Sequence, residues 1–174
     1  MKKSLIIFVF FPYLLISQIT IEPNPFEVNQ SVTITVDINS NDTNCNSISN
    51  PDSVYMHAGI GDDNSPWGYS VVGNWGQDDG VGQMSDNGNG TWSITIVPED
   101  YFGLTASQVS SATSMGMVFR NEDGTQELKD QGCSDFFINV GAFQVELINP
   151  DNSGIILVDY NGSTQILAQN TNGN

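Results

Sequence analysis

Five side chains in a short span have the types and spacing to hold a sugar. Tyr55 and His57 lie one residue apart in "SVYMHAGI", and Trp67, Tyr69 and Trp75 follow in a Gly- and Asp-rich stretch. Alternation along a strand puts residues i and i+2 on one face, so Tyr55 and His57 project together. Flat aromatic faces stack on the C–H faces of a hexose, while nearby acids and amides accept bonds from its hydroxyls. Small-molecule sites combine an apolar platform with a few placed polar groups in this way.

"VVGNWGQDDGVGQM", residues 71–84, holds Trp75 among four glycines and two adjacent acids. Gly73, Gly76, Gly80 and Gly82 are expected to serve backbone bends. Asp78 and Asp79 have three possible uses: turn caps, acceptors for sugar hydroxyls, or ligands of calcium, which takes loop carboxylates and carbonyls. Calcium is the one cofactor for which donors exist, and these two acids are its best candidates. No loop follows the spaced Asp-x-Asn-x-Asp-Gly pattern.

Catalysis has little to work with. His57 is the single histidine and sits within a strand pattern, and no nucleophile elbow surrounds any serine. One His and two distant Cys do not make a zinc site. The chain is read as a non-enzyme.

The elements that must position these residues are strands. In "SVTITVDI", Val32, Ile34, Val36 and Ile38 alternate with polar residues, and "TWSITIV" repeats the pattern with Trp92, Ile94 and Ile96. "SMGMVFR" and "DFFINV" are short, β-branched or aromatic, and bounded by turn residues. "DNGNGTW" and "RNEDGTQ" read as hairpin turns. Trp92, Met117, Phe119 and one of Phe136 or Phe137 are assigned to the core. Only "PEDYFGLTASQVSSA" can hold a helix, started by Pro98 and Glu99 and broken at Gly103, with one short turn expected. The expected fold is all-β, an antiparallel immunoglobulin-like β-sandwich over residues 18–141.

"VYMHAG", a following tryptophan, "MSDNGNGTWSITI", "MGMVFRNEDGT" and "DFFINV" occur in an order that resembles the starch-binding β-sandwich modules of carbohydrate-binding families 25 and 26. The chain resembles still more the N-terminal domains of secreted Bacteroidetes proteins, including α-amylase-type enzymes exported by the type IX route. The resemblance covers residues 53–140. It implies a platform of two aromatics one residue apart and a later tryptophan, matched by Tyr55, His57 and Trp67. His57 stands where an aromatic hydroxyl is more usual, and Trp75 replaces or extends Trp67. The function implied is a non-catalytic module binding starch or another α-glucan, accessory to a glycan-degrading enzyme. The rival reading is a structural immunoglobulin-like spacer or adhesin domain of a bacterial surface protein.

Charge narrows the partners. The 174 residues carry 4 Lys and Arg against 20 Asp and Glu, a formal net charge of −16. Such a chain repels phosphate backbones and anionic lipid, so neither nucleic acid nor membrane is expected. With 39% hydrophobic and 10% aromatic residues, there is enough apolar material for a core. Lys2 and Lys3, the apolar run 5–16 and Ser17 read as a signal peptide over residues 1–17, cleaved on export. Secretion, or display at the cell surface, then favours a disulfide between Cys45 and Cys133, with two free thiols or an intermolecular bond as alternatives. Residues 142–174 begin a second, incomplete immunoglobulin-like domain or add strands to the first. A monomer, or part of a longer secreted chain, is expected.

Overall fold

The computed structural model describes residues 18–39 and 47–141 in full, and beyond them the backbone of three further strands. The alternating segments form strands where the sequence places them. β1 (Ile19–Glu22), β2 (Val32–Asp37), β3 (Val54–Asp62), β4 (Ser65–Val72), β5 (Ser85–Gly88) and β6 (Thr91–Ile96) precede two short helices, α1 (Pro98–Phe102) and α2 (Ala106–Val109). β7 (Ser114–Asn121), β8 (Glu127–Leu128) and β9 (Phe136–Asn139) follow, with a 3-10 turn at Gln131–Cys133 between the last two.

These strands make two antiparallel sheets. One has the order β1-β2-β6-β5. The other runs β4-β3-β7, and β7 pairs with β8 along Phe119–Arg120 and with β9 along Ser114–Met117. Their inner faces meet in one hydrophobic cluster, so the fold is an all-β antiparallel sandwich. Val32, Ile34 and Val36 of β2, with Trp92 and Ile96 of β6, face Met56, Ala58 and Ile60 of β3 and Met115, Met117 and Phe119 of β7. Each large aliphatic or aromatic side chain in this set contributes roughly 1.5–3 kcal/mol by leaving water. The hairpins fall at "DNGNG" and "RNEDG". In the first, Asn89 and Gly90 take positive φ of 56° and 79°, as tight turns between twisted strands require.

The helical segment differs from expectation. α1 starts at Pro98 and stops at Gly103, whose φ of 62° gives the left-handed C-terminal cap. A second helix then opens, because Thr105 and Gln108 form a reciprocal capping box. The T-x-x-Q spacing that signals it is present in the sequence.

The strands Glu146–Ile148, Ile155–Tyr160 and Thr164–Gln169 (β10 to β12) pair among themselves as a three-stranded antiparallel sheet. The expected signal peptide and Cys45 lie outside the described residues. Among the described residues no cysteine is free. Among the described residues, no helix is long and apolar enough to cross a membrane.

Candidate functional site

The outer faces of the two sheets are built differently. That of the first is polar: Thr33 and Thr95 face each other, with their hydroxyls 2.8 Å apart. That of the second carries rings. Since Met56, Ala58 and Ile60 face the core, alternation turns Tyr55, His57 and Gly59 outward, opposite Arg120, Val118 and Gly116 of β7.

The Gly59–Gly116 pair is a gap in this face, and the Trp67 indole lies in it. A Cβ on Gly116 would come within 2.5 Å of Trp67 Nε1, and one on Gly59 would overlap Cε3. Two adjacent glycines let the ring rest on backbone. His57 tiles beside it, with ring centroids 5.7 Å apart and planes 29° from parallel. Trp75 meets His57 edge-on, at 5.7 Å and 89°. The two indoles are therefore bridged by an imidazole and stand at a steep angle to one another. The rings are therefore not coplanar. His57 Nδ1 lies 3.1 Å from the Gly73 carbonyl, so Nδ1 donates. In the neutral ring this leaves Nε2 as an acceptor.

Tyr55 does not belong to this surface. It is on the expected face but only 1% exposed, because residues 73–84 fold over it. Its hydroxyl donates to the Asp78 carboxylate, and the Arg120 guanidinium stacks on its ring, 4.4 Å from the centroid. Burial, then the bond to Asp78, pushes the Tyr55 pKa up. Tyr69 is also elsewhere. It is half-buried against the core, and its hydroxyl donates to Asp62 at 3.3 Å and the Ser111 carbonyl at 3.4 Å.

Arg120 organises the loop that carries Trp75. Fully buried, it donates through Nη2 to the carbonyls of Asn74 (2.6 Å) and Gln77 (2.8 Å). Nη1 donates to the carbonyls of Asn121 (3.0 Å) and Glu122 (3.2 Å). Burial pulls its pKa down, opposed by the carboxylates of Asp79 and Asp78. Asp79 accepts from Asn74 Nδ2 at 2.6 Å and from the Val81 N–H at 3.0 Å, and these bonds hold its carboxyl below the usual range. Both candidate calcium ligands thus accept bonds from protein donors. Among the described residues, no group of three or more His, Cys, Asp or Glu is placed to hold a metal ion. The four loop glycines all take positive φ, as bends require.

Two site residues escaped the sequence reading. Arg120 could have been suspected as one of four basic residues, set in a strand pattern opposite Tyr55. Phe137 could have been separated from Phe136 by alternation: Phe136 is 3% exposed, Phe137 51%. Phe137 pairs with Gly116, so it borders the same gap as Trp67.

No curated protein matches the chain. A family model described as "Domain of unknown function (DUF8578)" matches residues 19–128, from β1 through β8. That span takes in Arg120 and the three bridged rings and makes up more than half of the chain, which belongs to the DUF8578 family.

Proposed function

We propose that this chain is a secreted, non-catalytic carbohydrate-binding module for starch or another α-glucan, accessory to a glycan-degrading enzyme, with an immunoglobulin-like sandwich as scaffold. One observation carries the reading: Trp67 is bedded on Gly59 and Gly116 and continues through His57 to Trp75 on the outer face of a sheet. A ring held on backbone costs little conformational entropy when a sugar stacks on it, which favours affinity. The steep angle between the indoles suits a chain that turns, as α-linked glucans do, over a flat β-linked ribbon. The ligand is neutral, so the acidic surface does not oppose it. In this reading residues 1–17 are removed on export, Cys45 and Cys133 form an intrachain bridge, and Asp78 and Asp79 shape the loop without a metal.

The rival, a spacer or adhesin domain, has the burial of Tyr55 in its favour, since one of three implied platform rings is withdrawn. Affinity electrophoresis and calorimetry against starch, glycogen, xylan, β-glucan and mannan separate the two. Binding to starch or glycogen is expected. Trp67→Ala should weaken it by about 1–3 kcal/mol, in the range of binding hot spots. Gly116→Ala should weaken it too, because the new Cβ lifts the indole while leaving it in the chain. Wild-type protein that binds none of these glycans leaves the spacer reading standing.

A further inference from the structure

Phe137 is a large ring held in the open on a well-paired strand. Its neighbour Phe136 is buried in the core, and β9 pairs with β7 over four residues, so the exposure of Phe137 is fixed by the sheet. Row by row, Val71 of β4, Gly59 of β3, Gly116 of β7 and Phe137 of β9 stand side by side across the outer face. The two central positions have no side chain, and Trp67 fills them. A Cβ at Gly116 would meet Trp67 Nε1 at 2.5 Å and Phe137 Cε1 at 3.0 Å, so the two rings border one gap. Val71 and Phe137, at the flanks, are 48% and 51% exposed. Asn139 is exposed two residues along β9, on the same side as Phe137, and offers an amide to hydroxyls.

We infer that the glycan site continues across the strands from Trp67 to Phe137, making Phe137 a further sugar subsite and setting a minimum chain length for full affinity. The inference rests on the carbohydrate reading above. Strands are spaced by about 4.8 Å, close to the width of one pyranose ring, so the row from β4 to β9 gives room for about three sugar units. Trp67 holds the centre of the row and Phe137 one end, with His57 two residues along β3 from Gly59.

The test is calorimetry of the full chain with maltose, maltotriose, maltotetraose and maltoheptaose. Wild type should gain affinity with length until the strip is filled. Phe137→Ala should bind maltose as wild type does and lose about tenfold on maltoheptaose, while Phe137→Tyr restores that loss. Trp67→Ala should weaken binding at every length. If Phe137→Ala matches wild type at all lengths while Trp67→Ala does not, the subsite is wrong and the carbohydrate site stands. If wild type binds no oligosaccharide, the underlying reading fails and the subsite with it. Phe137→Ala that turns a dimer into a monomer on sizing would assign the ring to self-association and overturn the subsite.

Discussion

Arg120 is one of 4 basic residues in a chain with 20 acids, yet it is buried and contacts carbonyls. Its planar fork explains the choice. Nη2 reaches two carbonyls of the Trp75 loop and Nη1 two carbonyls of the β7–β8 turn, a spread that a lysine ammonium cannot match. Tyr55 supplies the face beneath it and Asp78 anchors the Tyr55 hydroxyl, so the three side chains form one unit. Arg120→Met would leave four carbonyls short of a charged donor. It should destabilise the domain by roughly 3 kcal/mol in urea unfolding, with Arg120→Lys recovering part of the loss. Equal stability of Arg120→Met and wild type would show that the loop stands without its latch. The same unit explains why Tyr55 could not be placed from sequence. Alternation tells which face a side chain leaves from, but whether that face meets water depends on a loop more than twenty residues away.

Strands with one apolar face were legible because their period is 2 and the core imposes it. β2 shows strict buried and half-buried alternation, and β6 follows it through Trp92 and Ile96. Hairpins were legible through Asn and Gly. The path of residues 73–84 was not, because it is set by long-range bonds from Arg120 and Tyr55 and by close packing of Gly76 and Trp75 on Gly124. Local acids then stiffen it. Asp79 has a folded pKa below the ordinary carboxylate value, through its bonds to Asn74 and the Val81 N–H. A depressed carboxylate contributes stability above its unfolded pKa and loses that contribution as pH falls through the folded one. The loop should therefore be tight at neutral pH and loosen below about pH 4. The indole N–H resonance of Trp75, followed by NMR from pH 6 to about pH 3, should shift over that window. Asp79→Asn should flatten the response. An unchanged titration in that variant would remove Asp79 from the control of the loop.

At the scale of the whole molecule, the dominant field is negative. The net charge is −16, with 4 bases facing 20 acids. Ion pairs such as Lys129–Asp135, 3.5 Å apart and partly exposed, relieve little of this. Self-repulsion disfavours the compact state, and salt screens it. A neutral sugar, the ligand proposed above, would feel almost none of the same field. Stability and ligand binding should thus respond differently to ionic strength. Raising sodium chloride from about 10 mM to about 1 M shortens the screening length from about 30 Å to about 3 Å. Over that range the Tm should rise by several degrees, while the Kd for maltoheptaose stays within about twofold, because no counterions are released when a neutral ligand binds. A maltoheptaose Kd that moves steeply with salt would show that the negative field reshapes the ring strip itself, and would overturn the independence of binding from charge expected here.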